Sequence, residues 1–187
     1  LSRQIGELVI GRRCFELAAD QKALSPIELC NFAALLADLR SPTNVVENVF
    51  EHALIAAPDN HEVRRLFGLY LLSVKNYEKG WLYYSSRKRI IRICSQFLSM
   101  ECDEWDGETY VQAIVVVGEQ GVGDQIMFLR GLQAVMRFCD ELYLSVDSRL
   151  WPFAKKLVPG VRALSSESCA KGLVKLALGD LPKLFPD

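Results

Sequence analysis

The chain is poor in the residues that carry metal and redox chemistry. It has only two histidines, His52 and His61, in 187 residues, and neither has a cysteine or second histidine at ligand spacing. Six cysteines stand at Cys14, Cys30, Cys94, Cys102, Cys139 and Cys169, with no C-x-x-C pair among them. That pattern argues against a zinc framework or a catalytic dithiol, so no metal is expected. Most of these cysteines sit in apolar helical patterns, which suits reduced, packed thiols in a cytoplasmic protein. No apolar run reaches the ~18 residues expected of a membrane span. The opening stretch LSRQIGELVIGRRCFELAAD has charges scattered through it, unlike a secretory signal. It also lacks an initiator methionine, so the chain is expected to be processed, trimmed or a fragment. A strong positive excess is missing too. The net charge is −1, so no nucleic-acid partner is expected.

The charge is unevenly spread. Residues 1–100 carry 13 basic and 10 acidic side chains, and residues 101–187 carry 9 and 13. The first part reads as helices broken by short polar segments: SPIELCNFAALLADLRSP, TNVVENVFEHALIAAPD, NHEVRRLFGLYLLSV and KNYEKGWLYYSSRKRII. A shift of 34 residues places like on like. Ala33 and Ala34 fall on Phe67 and Gly68, Ala37 on Leu71, Val46 on Gly80, and Phe50 on Tyr84. Pro58-Asp59 marks the junction, where one helix stops and the next begins. A 34-residue helix-turn-helix period resembles the tetratricopeptide repeat. That resemblance implies close helix crossings at Ala34, Gly68 and Gly80, and a surface that holds a protein or peptide partner. Arg87 departs from it, standing where Ala53 would recur, so the last helix is expected to leave the stack. GRRCFELAADQKAL reads as the second helix of an earlier, incomplete unit. About three stacked repeats are usually needed for stability, so a neighbouring domain is expected to cap these two and a half. A generic helical bundle remains an alternative. The run Arg87, Lys88, Arg89 and Arg92 reads as the wet face of a long helix whose apolar face is Ile90, Ile91 and Ile93.

The acidic, turn-forming segment ECDEWDGETY suggests a boundary near residue 101. VQAIVVV follows, a continuous β-branched run of the kind buried on both faces of a parallel sheet. Next come a glycine loop and the helical stretch DQIMFLRGLQAVMRFC, with Ile126, Leu129, Leu132, Met136 and Cys139 at helical spacing. ELYLSV and VRALSS read as further strands around the short helix SRLWPFAKKLV, and LVKLALGDLP is expected to hold a fourth. The alternation predicts a Rossmann-like α/β layer, with ligands at the carboxyl ends of its strands.

The loop GEQGVGDQI, residues 118–126, imitates two phosphate motifs. Gly118 and Gly123 have P-loop spacing, but Asp124 and Gln125 replace the lysine and hydroxyl residue. A carboxylate in place of the ammonium reverses the sign of the interaction with phosphate. Gly121 and Gly123 also fit the first two places of the dinucleotide fingerprint, with Asp147 near the acidic position. Ile126 fills the third glycine place, where its branched side chain would crowd a close helix–strand approach. What remains is a loop offering a carboxylate at a helix start. Asp124 either caps the helix or accepts a proton from a substrate hydroxyl.

Trp81, Tyr84 and Arg87, then Trp105, Asp106 and Gly107, then Gly118, Glu119, Gln120, Gly121, Gly123, Asp124, Gln125, Phe128 and Arg130 form a longer pattern, continued by LVPGV and DLP. It resembles bacterial tetratricopeptide proteins carrying a glycosyltransferase domain related to the heptosyltransferases, of GT-B architecture. The resemblance implies two domains. Residues 1–100 would form helical repeats, and residues 101–187 a partial Rossmann-like α/β domain with a mainly parallel sheet, the incomplete first lobe of a GT-B fold. It implies Asp124 as candidate base, with Gly118, Glu119, Gln120, Gly121, Gly123 and Gln125 forming the substrate loop. A sugar or glycan would be the acceptor, and a nucleotide-sugar donor is implied only for a longer enzyme. About 85 residues after the boundary are too few for two lobes. The chain is therefore expected to be non-catalytic alone and without a cofactor of its own. The alternatives are a helical-repeat interaction module with a non-catalytic α/β cap and, behind it, a dinucleotide-binding protein.

Overall fold

The computed structural model describes residues 2–20, 23–164 and 172–186. The chain divides into two compact units, Leu1–Ser86 and Arg87–Asp187. The division falls at residue 87 and not near 101, because the residues between them pack in the second unit.

The first unit is helical: α1 Ser2–Asp20, α2 Pro26–Asp38, α3 Thr43–Ala56, α4 His61–Ser73 and α5 Tyr77–Tyr84. The starts follow from local chemistry. Ser25 and Glu28 exchange hydrogen bonds in a capping box ahead of Pro26. The Asn60 side chain accepts from the N–H groups of Glu62 and Val63 at 3.0 and 3.2 Å. α2 packs on α3, α4 on α5, and α2 on α4. α4 and α5 begin 35 and 34 residues after α2 and α3, so the sequence period is a period of helix pairs. The pairs meet through stacked rings, with Phe50 5.2 Å from Phe67 and 5.1 Å from Tyr70. At Gly68 a Cβ would lie 2.9 Å from the Tyr84 Cα and 3.0 Å from the Gly80 oxygen, both backbone atoms. Only glycine lets α4 and α5 approach this closely.

The second unit is an α/β layer. Its strands are β1 Val111–Val117, β2 Cys139–Ser145, β3 Arg162–Ala163 and β4 Leu173–Ala177. They are all parallel, in the order β3-β2-β1-β4. β1 is central. Val111 pairs with Cys139 on one side, and Ala113 with Leu173 on the other. Ala113 to Val117 are all buried, which explains the unbroken apolar run. Each buried Val or Ile contributes about 1.5–3 kcal/mol relative to exposure. α6, Ile91–Ser99, buries Cys94 and Phe97 against Ala113, Val115 and Val117. This packing is why residues before 101 belong to the sheet. The ECDEWDGETY segment also joins it. Lys175 N–H donates to the Asp103 carbonyl and Trp105 N–H to the Lys175 carbonyl, at 2.8 and 2.9 Å. Asp106 and Gly107, φ +94°, then close the turn.

The crossover from β1 to β2 is broken into α7 Val122–Leu129, α8 Leu132–Val135 and a 3-10 turn over Met136–Phe138. The break at Gly131, where a Cβ would lie 3.0 Å from the Leu181 Cβ, shifts the helical phase. Gln125, Phe128, Leu129, Leu132 and Val135 face inward, while Ile126 and Met136 are exposed and Cys139 opens β2. α9, Trp151–Leu157, leads to β3, and α10, Leu181–Leu184, follows β4. The end of the expected third strand and Cys169 lie outside the described residues. Of the five cysteines described, none is in a disulfide, and Cys30, Cys94 and Cys139 are buried. Burial pushes the Cys30 thiol up to about 11 and the Cys94 thiol up to about 12. Among the described residues no helix is long and apolar enough to cross a membrane.

Candidate functional site

The glycine loop leaves the carboxyl end of β1 and enters α7, and the residues predicted for the site divide into two sets. Gly118, Glu119 and Gln125 turn inward. Gly118 N–H donates to the Ser145 carbonyl at 2.6 Å, and a Cβ there would lie 2.9 Å from Val146 Cγ1 and 3.0 Å from Gln125 Cδ. Gln125 is buried. Its Oε1 accepts the Asp147 N–H at 2.9 Å and its Nε2 donates to the Gln120 carbonyl at 3.4 Å. It therefore pins the loop after β1 to the loop after β2. Ile126, expected to crowd the strand, instead faces solvent, and Gln125 holds the inner position.

Gly121, Gly123 and Asp124 form the outer set. A Cβ on Gly121 would come no nearer than 3.5 Å to any neighbour, and one on Gly123 would meet nothing within 4 Å. Neither glycine has positive φ; in the loop that conformation belongs to Gln120, φ +66°. Neither backbone geometry nor internal packing demands glycine at these two positions. Asp124 is half-buried at the third position of α7. Its Oδ2 accepts the Gly121 N–H at 3.3 Å, the one hydrogen bond of this side chain among the described residues. That is half of a capping box, because Gly121 has no side-chain oxygen to complete it.

Glu119 takes no part in the outer surface. It is 5% exposed and accepts, on Oε1, from Arg87 Nε at 2.9 Å, from Arg87 Nη2, and from Gly179 N–H at 3.1 Å. Arg87 Nη1 donates to Asp180 Oδ1 at 2.8 Å. Lys88 Nζ joins Asp180 Oδ2 to Glu104 Oε2, both at 2.8 Å, and Arg89 Nη2 reaches Glu104 Oε1 at 2.8 Å. Arg87 is completely buried, so the RKR run is not the wet face of a long helix. It is a 3-10 turn, Ser85–Arg89, because its side chains have carboxylates to reach in the second unit. Burial alone would lower the pKa of Arg87, but the charges of Asp180 and Glu119 outweigh it and raise it. Burial alone would raise that of Asp180, but Arg87 and Lys88 hold it below its usual value. Sequence reasoning missed this cluster. The signal available was the basic run Arg87, Lys88 and Arg89 followed by the acidic surplus of residues 101–187.

The dinucleotide reading finds its acid already engaged. Asp147 accepts from Arg149 Nε and Nη2 at 2.8 Å and from Arg149 N–H at 3.0 Å. The guanidinium and this backbone donor hold its carboxyl down at about 2. Among the described residues no three His, Cys, Asp or Glu side chains gather to hold a metal. Compared with protein-family models, curated proteins and solved structures, the chain matches none.

Proposed function

We infer that the second unit is an acceptor-side lobe of a glycosyltransferase-like protein of GT-B type, and that the first unit is a tetratricopeptide-like array for a protein or peptide partner. The loop from Gly118 to Gln125 would receive a sugar or glycan hydroxyl. One observation carries this reading. Gly121 and Gly123 stand at a helix start with no internal reason to be glycine, beside a half-buried carboxylate that makes one long hydrogen bond. Glycine in a helix costs stability relative to alanine, so open space above it suits close approach of another molecule. A carboxylate beside that space can accept a proton from a hydroxyl or orient it. The site lies at the carboxyl end of a parallel strand, where ligands of such sheets bind. In this reading the nucleotide-sugar donor belongs to a second lobe, and the chain by itself binds without transferring.

A non-catalytic α/β cap is favoured by one observation: Asp124 already accepts the N–H of a capping interaction. Titration of the isotope-labelled chain with methyl glycosides of common hexoses and N-acetylhexosamines separates the two. The acceptor reading expects amide shifts centred on Gly118 to Gln125, and none there from NAD(H). Glycosides that leave these amides unmoved would overturn it, and shifts from NAD(H) would restore the dinucleotide alternative.

A further inference from the structure

In parallel sheets of α/β type, ligands sit outside the carboxyl ends of the strands. Here β1 and β4 are neighbours, with β2 and β3 on the other side of β1, and the crevice considered lies between the segments that leave their carboxyl ends. The loop after β1 begins with Gly118 and Glu119, and the turn after β4 is Leu178, Gly179 and Asp180. The Arg87 guanidinium stands between them, joined to Glu119 on one side and to Asp180 on the other. The fit is tight. A Cβ on Gly179 would lie 2.5 Å from Arg87 Nη2 and 2.7 Å from Glu119 Oε1. All three guanidinium nitrogens already donate to these carboxylates.

We propose that Arg87 is a positioning residue that fills this crevice from within the chain, fixes the loop carrying Gly121 to Asp124, and thereby limits that loop to uncharged, hydroxyl-bearing ligands. The limitation rests on the acceptor reading above, whereas the positioning does not. Two steps give the mechanism. Glu119 has three donors on one oxygen, and those donors tie the first residues of the loop to the turn after β4. An arriving phosphate would have to displace Glu119 or Asp180 from Arg87 and then sit beside the displaced carboxylate, a like-charge contact. Lysine cannot replace the fork, since one ammonium is a point charge that cannot present the planar, divergent donor set that spans both acids.

The test compares amide exchange and ligand binding in Arg87→Lys and in the double variant Arg87→Met with Glu119→Leu. The double variant removes the buried carboxylate together with its partner and leaves Asp180 its Lys88, so it keeps the fold without an unpaired charge on Glu119. Two hydrogen-bonded amides report on the loop, Gly118 on the Ser145 carbonyl and Gln125 on the Gly121 carbonyl. In both variants these amides are expected to exchange at least about tenfold faster relative to those of Ile114 and Val116, with methyl-glycoside affinity falling by about tenfold. Equal acceleration of loop and strand amides, or wild-type loop exchange in the double variant, would overturn the positioning role. Inorganic pyrophosphate should leave the wild-type loop amides unmoved, and a shift there would overturn the filled crevice. If no glycoside binds the wild type, the acceptor reading and the ligand limitation fall together, and the exchange ratio still decides the positioning.

Discussion

Replacing Gly123 with alanine should make the second unit more stable and its ligand weaker. Gly123 is the second residue of α7, its φ is not left-handed, and a Cβ there would meet nothing within 4 Å. The added methyl therefore brings no clash, only a loss of backbone freedom in the unfolded chain and a better helix former in the folded one. In a helix interior the exchange is worth about 1 kcal/mol, and in a first turn about half of that. For a unit of about a hundred residues, 0.5 kcal/mol corresponds to a rise in Tm of about 2–4 °C. Gly118→Ala is the control with opposite sign. Its Cβ would press on Val146 and Gln125 at 2.9 and 3.0 Å, which costs about 1–3 kcal/mol as overpacking. Thermal unfolding followed by calorimetry reads both, and glycoside titration of the same samples reads binding. A lower Tm for Gly123→Ala would refute the claim that the position is free of internal demands. A higher Tm with unchanged binding would mean that the open space meets only solvent.

Other outcomes follow from the same geometry. Arg87→Met leaves Glu119 with Gly179 N–H but no cation, while Asp180 keeps Lys88, so the unit should lose about 3–5 kcal/mol at pH 7 in urea unfolding. Because Asp180 is held below its usual pKa, its contribution in the wild type is present above the unfolded value of about 3.9 and lost as pH falls through the lower folded value. The gap between the two proteins should therefore shrink at pH 3, and a gap independent of pH would contradict the role of the ion cluster. Gly68→Ala should lower the melting temperature of the first unit. Its Cβ would meet backbone atoms of Tyr84 and Gly80, and forcing α4 and α5 apart by about 1–3 kcal/mol outweighs the gain of about 1 kcal/mol in helix propensity.

Local signals carried much of the fold. VQAIVVV is readable because a strand buried on both faces needs an unbroken apolar run, and Ser25, Asn60 and Pro58 announce helix ends by their own hydrogen bonding or lack of it. The parallel direction of the strands follows from their alternation with helices, whereas the place of β4 on the far side of β1 has no local signal. The pattern failed where the decisive partner lies far along the chain. Arg87 looked solvated because its carboxylates stand 32 and 93 residues away. α6 looked like part of the helical half because its apolar face says that it packs, not on what. Ile126 and Met136 read as inner-face residues at helical spacing, but Gln125, Phe128 and Leu129 hold the inner face of α7, and beyond the break at Gly131 Leu132 and Val135 hold that of α8. Within the loop, the sequence did not show how its residues divide. Gly118, Glu119 and Gln125 hold the loop together, while Gly121, Gly123 and Asp124 are left to face outward.

The central claim is that the outward carboxylate meets a ligand hydroxyl. Binding of methyl glycosides to the wild type and to Asp124→Asn, measured side by side by calorimetric titration, tests it most directly. Asparagine keeps the size of the side chain and can still accept the Gly121 N–H, so a pure cap would be little affected. A hydroxyl donated to the carboxylate is a hydrogen bond to a charged group, worth about 1.5–3 kcal/mol, so the account predicts affinity about ten- to a hundredfold weaker in the variant. Equal affinities for the two proteins would contradict it.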